Sequence, residues 1–301
     1  MRRTRVLSLA TLLLCTSVLA GAVPAGATQH DVPSAPLRIL LTNDDGYDAP
    51  GIRLLFQRLT SAGYDVTVVA PLTNQSGTGT KMLSSASVAV EHPAPRVWAV
   101  GGTPGDAVAF GLAEVFADRA PDLVVSGTNF GPNVAALATH SGTVGGAIAA
   151  LESGVPAIAV STGGLTAEVP RLVLNAMRPT ADFAVGLIDR LRSRAKHGRL
   201  LPPGLGLNVN HPVVGPDGTG TARGTALTHQ DPQLLLQPRY TDAGDGTWKV
   251  RIDEVPRPVQ RGSDAEAVAA GKVSIAPITP NWDAGADRLT GMTALLAGLR
   301  P

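Results

Sequence analysis

The sequence predicts an α/β fold in which helices cover both faces of a parallel sheet, followed by a C-terminal extension that carries a β-hairpin. Short apolar runs rich in β-branched residues alternate with longer helix-like segments up to about residue 211, which is typical of a parallel sheet. Beyond residue 212 the alternation stops. Turn residues at 216–218 and 242–246 then flank β-like pieces such as 247–252, which indicates the hairpin.

The individual elements follow from local patterns. The apolar runs predict buried parallel strands at 37–41, 64–70, 96–100, 123–126, 157–161 and 205–209. Helices are predicted at 50–59, 104–117, 143–153 and 170–194. Pro50 suits the first turn of the first helix, and Asp106 suits the first turn of the second.

The first 27 residues have the pattern of a secretory signal peptide. Arg2, Arg3 and Arg5 precede an apolar run that extends to about Ala22, and the small-x-small sequence at 25–27 suits a signal peptidase. A membrane anchor is the alternative, but the apolar run is short for a span and a cleavage site follows it. We therefore expect a secreted chain without a membrane anchor after cleavage, with a flexible lead-in at 28–36, a core at 37–211 and the extension at 212–301.

Composition excludes several classes of function. Cys15, the one cysteine of the chain, lies in the predicted signal peptide, so no disulfide or thiol chemistry is expected in the mature protein. The formal net charge is only +1 and aromatic residues make up 4% of the chain. This balance argues against electrostatic capture of a nucleic-acid polymer or a membrane surface, and against a base-stacking platform for single strands.

The segment 42–46 is the most informative one, because two adjacent carboxylates, Asp44 and Asp45, follow the first strand directly. Ligands of open α/β sheets bind at the carboxyl ends of the strands. Neighbouring carboxylates repel each other there, and a hard divalent cation such as Mg²⁺ or Mn²⁺ removes that repulsion. An Asx-rich turn that caps the next helix explains the same residues equally well.

Three further polar loops are predicted at the same edge of the sheet. Residues 74–77 and 126–133 each follow a strand and offer neutral oxygen ligands, and 141–146 lead into a helix. A helix start with hydroxyls and bare N–H groups suits a phosphate. Carboxylates for a metal and a helix start for a phosphate together indicate a phosphoryl-transfer site.

These motifs resemble those of the SurE family of phosphatases and nucleotidases, over about residues 37–280. The matching segments are 39–46 with 49–52, 66–71 with 74–77, 102–104 with Asp106, 121–127, Asn129, Asn133, 141–145, 156–161, 207–210, 262–264 and 271–275. The resemblance implies a Rossmann-like three-layer α/β/α sandwich. It also implies that the C-terminal hairpin extension serves oligomerisation, in a homodimer or homotetramer.

The resemblance further implies one divalent metal ion, Mg²⁺ or Mn²⁺, per subunit. By position, the metal ligands fall on Asp44, Asp45, Ser76 and Asn129. The residues that match positions lining the phosphate pocket are Asn43, Asn133, Ser141, Gly142 and Thr143. The chain departs from the family pattern at Thr128, at Pro132, at 135–137 and at His211. These departures bear on substrate preference and oligomer contacts, and none of them is a metal ligand implied by the resemblance.

The resulting hypothesis is a secreted, metal-dependent phosphomonoesterase acting on nucleoside 5′- or 3′-monophosphates, with Asp44 or Asp45 as base or nucleophile. Two alternatives stay open: a metal-dependent glycosyltransferase using nucleotide sugars, and a secreted phosphate-ligand-binding protein without turnover. A haloacid-dehalogenase phosphatase would need an aspartate in place of Asn43, which counts against it. His140, Lys81 and Arg261 are near the motifs, but we expect them to be surface residues.

Overall fold

The computed structural model describes residues 35–82, 86–165, 169–281, 292–293 and 296–298. The predicted signal peptide at 1–27 and residues 28–34 of the predicted lead-in lie outside the described residues. Within the described ranges, no helix combines the length and the apolar character needed to cross a membrane.

Nine strands form one mixed sheet, and two more form the hairpin. The strands are β1 Arg38–Thr42, β2 Asp65–Pro71, β3 Val90–Ala94, β4 Val97–Val100, β5 Leu123–Phe130, β6 Ala157–Thr162, β7 Gly206–His211, β8 Thr225–Leu227, β9 Leu236–Asp242, β10 Trp248–Glu254 and β11 Val273–Ile278. The sheet order is β3-β4-β2-β1-β5-β6-β7-β11-β8. The six strands from β4 to β7 in that order run parallel to one another.

Helices pack on both faces of the sheet. They are α1 Pro50–Ser61, α2 Pro104–Phe110, α3 Gly142–Glu152, α4 Pro170–Ser193 and α5 Asp264–Ala269. Successive strand residues point to opposite faces, so Ile39 and Leu41 of β1 pack with α1 and α4, whereas Leu40 packs with α2 and α3. The structure thus confirms the predicted three-layer α/β/α sandwich.

Up to residue 130, the structure differs from the sequence prediction in three elements, and beyond the predicted core it adds β8, α5 and β11, which were not predicted. The helix predicted over 104–117 changes to a π-helical turn at Gly111–Val115. Gly111 lies so close to the sheet that a Cβ there would be 2.6 Å from Leu40 Cδ1. Strand β5 continues to Phe130, four residues past its predicted end, and β3 was not predicted, because its sequence Val90–Ala94 is largely exposed and contains a proline.

The C-terminal segment contributes to two sheets. Strands β9 and β10 pair antiparallel as the predicted hairpin, with Trp248 opposite Asp242. The chain then returns through α5 to β11, which pairs antiparallel with β7. Strand β8 pairs with β11 at the edge. The main sheet therefore includes residues from the segment that the sequence analysis assigns to the extension.

Candidate active site

Asp44 lies at the carboxyl end of the central strand β1, where it meets the start of α3. The Thr143 hydroxyl donates a hydrogen bond of 2.6 Å to Asp44 Oδ1. The backbone N–H of Gln75 donates to the Asp44 carbonyl oxygen at 2.6 Å. The start of α3 thus holds the carboxylate of Asp44 and the loop after β2 holds its main chain, and the residue is only 3% exposed.

The start of α3 is built for close approach to this carboxylate. Ser141 caps the helix by accepting a hydrogen bond from Val144 N at 3.1 Å. Gly142 follows, and a Cβ there would lie 2.8 Å from Asp44 Cβ. Burial raises the pKa of Asp44, and the N–H groups of Gly142 and Thr143, which face Asp44, lower it. The anion held by this helix start in the structure is therefore Asp44, at residues for which the family resemblance implies a phosphate.

Asp45 is bound less tightly. Its Oδ2 accepts a hydrogen bond from Phe130 N at 3.1 Å, and Asn74 Nδ2 lies 3.5 Å from its Oδ1. Burial, followed by the charge of Asp44, raises the pKa of Asp45 from its ordinary value of 3.8 to about 6. Burial also raises the pKa of Asp44, although the hydrogen bond from Thr143 opposes that rise. Two partly desolvated carboxylates side by side favour a positively charged ligand.

The two amide side chains near the pair present oxygen atoms. Asn129 Nδ2 donates to Gly131 O at 2.8 Å, and Asn43 Nδ2 donates to Gly46 O at 2.9 Å. Each amide nitrogen is thus engaged by its own loop, which leaves the Oδ1 atom as an acceptor. Asn43 Oδ1 is buried and has no hydrogen-bond partner among the described residues, so it suits a ligand that brings a donor or a positive charge.

Ser76 lies on the loop after β2 and is exposed. Its N–H donates to Asn74 Oδ1 at 3.0 Å, and the next residue, Gly77, turns the chain with φ +82°. The far end of this loop is fixed just before α3, because Gly79 N donates to the carbonyl oxygen of His140 at 3.1 Å. The loop thus brings Ser76 to the same edge as Asp44, next to Gln75.

The donor set fits a hard divalent ion. The described part of the chain contains no cluster of three or more His, Cys, Asp and Glu side chains. Asp44, Asp45, Ser76 and Asn129 offer two carboxylates and two neutral oxygens, and Asn43 adds an unpartnered oxygen. Mg²⁺ and Mn²⁺ prefer oxygen ligands, and Mg²⁺ commonly takes one or two carboxylates and completes its shell with water and substrate phosphate.

Asn133 is fixed from β6 and β7. Its N–H donates to Asn210 Oδ1 at 2.7 Å, its Nδ2 donates to Ser161 Oγ at 2.9 Å, and its carbonyl accepts from Asn208 Nδ2 at 2.8 Å. The backbone N–H and one Nδ2 hydrogen of Asn133 are engaged, so its second Nδ2 hydrogen and its Oδ1 atom are the groups that it can offer to a ligand. Sequence reasoning assigned no role to the three supporting residues. The sequence of β7 did contain an indication of this role. Its two asparagines, Asn208 and Asn210, are two positions apart, so their side chains lie on the same face of the strand.

The loop after Asn133 is held by the C-terminal segment. Ala135 has a positive φ of 53°, unusual for a residue other than glycine. Its N–H donates to Asp264 Oδ2 at 3.0 Å, and its carbonyl accepts from Gln230 Nε2 at 2.7 Å. Asp264 is fully buried and also accepts from Asp231 N at 2.9 Å. The residues at 135–137 that depart from the family pattern therefore begin a 3₁₀ helix, Ala135–His140, anchored from α5.

Two histidines near these motifs have different environments. His140 is exposed, and its backbone carbonyl binds the loop that carries Ser76. His211 is buried at the end of β7, with Nδ1 2.9 Å from the carbonyl oxygen of Pro212. Burial lowers the pKa of His211, which favours a neutral ring. Lys81 and Arg261, also considered from the sequence, are exposed.

Comparison with known proteins identifies relatives over most of the chain. The model of the family described as "Survival protein SurE" matches residues 39–235. A protein from Thermosynechococcus vestitus named 5′-nucleotidase SurE is 34% identical over 256 residues, covering 81% of this chain and 91% of that protein. A protein of the same name from Caulobacter sp. is 35% identical over 244 residues, covering 80% of this chain and 88% of that protein.

The fold comparison agrees with the sequence comparisons. The crystal structure of a SurE protein from Aquifex aeolicus superposes with a TM-score of 0.71 at 29% sequence identity. The match covers 86% of this chain and 99% of that one. The similarity thus extends over the sheet, the flanking helices and the candidate site.

Proposed function

The chain belongs to the SurE family, and on that basis we propose that it is a divalent-metal-dependent phosphomonoesterase that hydrolyses nucleoside 5′- or 3′-monophosphates. Two kinds of observation support this proposal. Relatives at 34–35% identity over about 80% of the chain are named 5′-nucleotidases. In the site itself, the contact between Thr143 and Asp44 joins a carboxylate pair to a helix start at one edge of the sheet.

The proposed ion is held by Asp44, Asp45, Ser76 and Asn129, and when bound it supplies positive charge beside the phosphoryl group. The chain's own groups position the substrate. At the start of α3, the N–H groups of Gly142 and Thr143 face the Asp44 carboxylate. The Ser141 hydroxyl accepts from Val144 N and still has its own proton to donate to a phosphoryl group that enters beside Asp44. Asn133 has one Nδ2 hydrogen that can donate to the phosphoryl group, and Asn43 Oδ1 can accept from a ligand that brings a donor or a positive charge.

One of the two carboxylates would take a proton from the attacking water or attack the phosphorus atom itself. Asp44 is held by Thr143 and the start of α3, which fixes its orientation. Burial and the charge of Asp44 raise the pKa of Asp45 to about 6 in the absence of a metal ion, and Asp45 accepts one short hydrogen bond, from Phe130 N. A raised pKa of this kind is typical of carboxyl groups at catalytic sites.

The test is phosphate release by the purified protein from a panel of phosphate monoesters, with Mg²⁺, with Mn²⁺ and with a chelator. We expect release that is abolished by the chelator and restored by one of the ions, and that is lost in Asp45→Asn. Sugar transfer from a nucleotide sugar without phosphate release would favour the glycosyltransferase alternative. Binding of monoesters with no turnover under any condition would favour a binding protein.

We further propose that the protein is exported with the signal at 1–27 and assembles as a homo-oligomer through the β9–β10 hairpin. The exposed apolar side chains of that hairpin support the second part, namely Tyr240, Trp248, Val250 and Ile252, each of which is 58–62% exposed. Light scattering measures the oligomer directly, and N-terminal sequencing of protein recovered outside the cells identifies the cleavage point.

A further inference from the structure

An apolar cleft of about 680 Å³ opens beside the carboxylate pair. Four stretches of chain form it: the segment 130–137, the loop after β6, the first turn of α4 at Val173, and the base of the β9–β10 hairpin. Among the residues lining it are Phe130, Pro132, Leu165, Leu235 and Ile252. We refer to it as the Phe130 cleft. Its volume lies within the range of about 300–1,000 Å³ that is typical of small-molecule sites.

The cleft shares a wall with the candidate active site. Phe130 donates its backbone N–H to Asp45 Oδ2 at 3.1 Å, while its side chain lines the cleft. Residues 130–132 join Asn129 to Asn133, which belong to the proposed metal and phosphate sites. When the phosphoryl group of a monoester lies at Asp45, the cleft begins on the other side of Phe130. The leaving group of the ester can therefore bind in the cleft.

The charges of the cleft do not favour a second phosphate. Its charged lining residues are Arg251, Asp253 and Glu254. Arg251 Nε lies 2.7 Å from Asp253 Oδ1, so the guanidinium is already paired with a carboxylate. Asp253 also lies 3.5 Å from Arg239 Nε, so the charges at the hairpin are engaged with one another and a second phosphate would have to displace Arg251 from its carboxylate, whereas a neutral group with polar edges would not.

Phe130 gives the cleft a flat aromatic surface. Its side chain is 42% exposed, although phenylalanine side chains are most often buried. Aromatic residues make up only 4% of the chain. An exposed ring beside aliphatic side chains suits a planar heterocycle, which can stack on the ring and place its polar edge toward the hairpin.

We propose that the Phe130 cleft binds the nucleoside part of a nucleoside monophosphate while the phosphoryl group lies at Asp44 and Asp45. This inference rests on the proposed phosphomonoesterase function and adds a source of substrate preference to it. The enzyme should prefer nucleoside monophosphates to esters with small aliphatic leaving groups, because only the former fill the cleft.

The first test compares adenosine 5′-monophosphate with glycerol 1-phosphate in the wild type and in Phe130→Ala. The ratio of their kcat/KM values should fall by on the order of tenfold in Phe130→Ala, mainly through a higher KM for the nucleotide, because stacking on the ring is lost. Phe130→Trp should keep the ratio. Leu174→Ala is the matched control, since Leu174 is 43% exposed and is not among the cleft's lining residues.

The second test measures adenosine binding to the protein in chelator by calorimetry, which does not depend on turnover. Saturable binding that weakens in Phe130→Ala supports the proposal. Absence of binding, or binding that Phe130→Ala leaves unchanged, overturns it. If the wild type hydrolyses both esters and Phe130→Ala leaves their ratio unchanged, the cleft proposal fails and the phosphatase proposal stands. If no ester is hydrolysed, the phosphatase proposal fails, and the adenosine measurement alone decides for or against the cleft.

Discussion

Thr143, at the start of α3, donates a 2.6 Å hydrogen bond to Asp44 at the end of β1, although 99 positions separate the two residues in the sequence. This contact brings together two motifs that the sequence analysis treated separately, one for a metal and one for a phosphate. The orientation of the Asp44 carboxylate therefore depends on a residue of the neighbouring motif.

Removing this hydrogen bond should impair the active site without unfolding the protein. Thr143→Val keeps the shape of the side chain but leaves buried Asp44 Oδ1 without its hydroxyl partner. Hydrogen bonds to charged groups contribute about 1.5–3 kcal/mol, so kcat/KM should fall by roughly 10- to 100-fold. Thr143→Ser restores the hydroxyl and should recover most of the activity. Steady-state kinetics at saturating metal measures the loss in Thr143→Val and the recovery in Thr143→Ser. Wild-type activity in Thr143→Val would contradict the role of Thr143 in orienting Asp44.

The metal-free protein should become more stable when Asp45 is neutralised. The pKa of Asp45 is raised from 3.8 to about 6 in the fold, so the folded state binds its proton more tightly than the unfolded state does. The stabilisation by the bound proton is complete below about pH 4 and is lost as pH rises through about 6. In chelator at pH 8, Asp45→Asn should therefore raise the free energy of unfolding by about 1–2 kcal/mol, allowing for partial exposure.

Urea unfolding in chelator at pH 4, 6 and 8 measures this effect. The stability difference between Asp45→Asn and the wild type should shrink as the pH falls toward 4. Asp48→Asn is the control, because Asp48 is exposed on the same loop. If Asp45→Asn stabilises the protein equally at all three pH values, or no more than Asp48→Asn does, the repulsion and desolvation of the carboxylate pair are not the cause of the effect.

The contact between α3 and the loop that carries Ser76 should not tolerate any side chain at Gly145. A Cβ there would lie 1.8 Å from the carbonyl oxygen of Gly79, so Gly145→Ala must displace the loop. We expect metal affinity and activity to fall at least tenfold, together with a destabilisation of about 1–3 kcal/mol. Gly186→Ala, in helix α4 where an added Cβ meets nothing, should instead stabilise by up to about 1 kcal/mol. Metal titrations and thermal unfolding distinguish the two variants.

Asp264 should be required for the geometry of the Asn133 loop. Asp264→Asn places an amide among N–H groups that now donate to its carboxylate, those of Ala135, Asp231 and Ala265. A buried donor without an acceptor costs about 1–3 kcal/mol, so we expect lower stability and lower kcat/KM. Asp217→Asn, an exposed aspartate in the same C-terminal segment, should change neither by much. Full activity in Asp264→Asn would contradict the proposed role of Asp264 in holding the Asn133 loop.

The repeating part of the fold could be predicted from sequence because its elements depend on local patterns. β-Branched runs identify the parallel strands, and apolar spacing with Pro50 and Pro170 near the helix starts identifies α1 and α4. Strand β11 could not be assigned in this way. Its residues Val273–Ile278 form a strand of the core sheet only because β7 offers an open edge, and that edge depends on the whole sheet order.

The candidate site could be predicted only as separate motifs. The carboxylates and the start of α3 were identified from spacing and from family resemblance. The contacts that hold them were not, since Asn208, Asn210 and Asp264 act through residues more than 70 positions away. A polar residue inside a strand or at a helix start has several possible partners, and only the packed fold selects one.

The bond between Ala135 and Asp264 also has a consequence for how the chain folds. It spans 129 positions, and β11, which follows Asp264, must pair with β7 to extend the sheet. A chain emerging from its N-terminus can assemble the earlier strands first, but the loop that presents Asn133 obtains its last anchor only when residue 264 is available. Catalytic competence should therefore appear late, after most of the sheet has formed, and partly synthesised chains should be inactive.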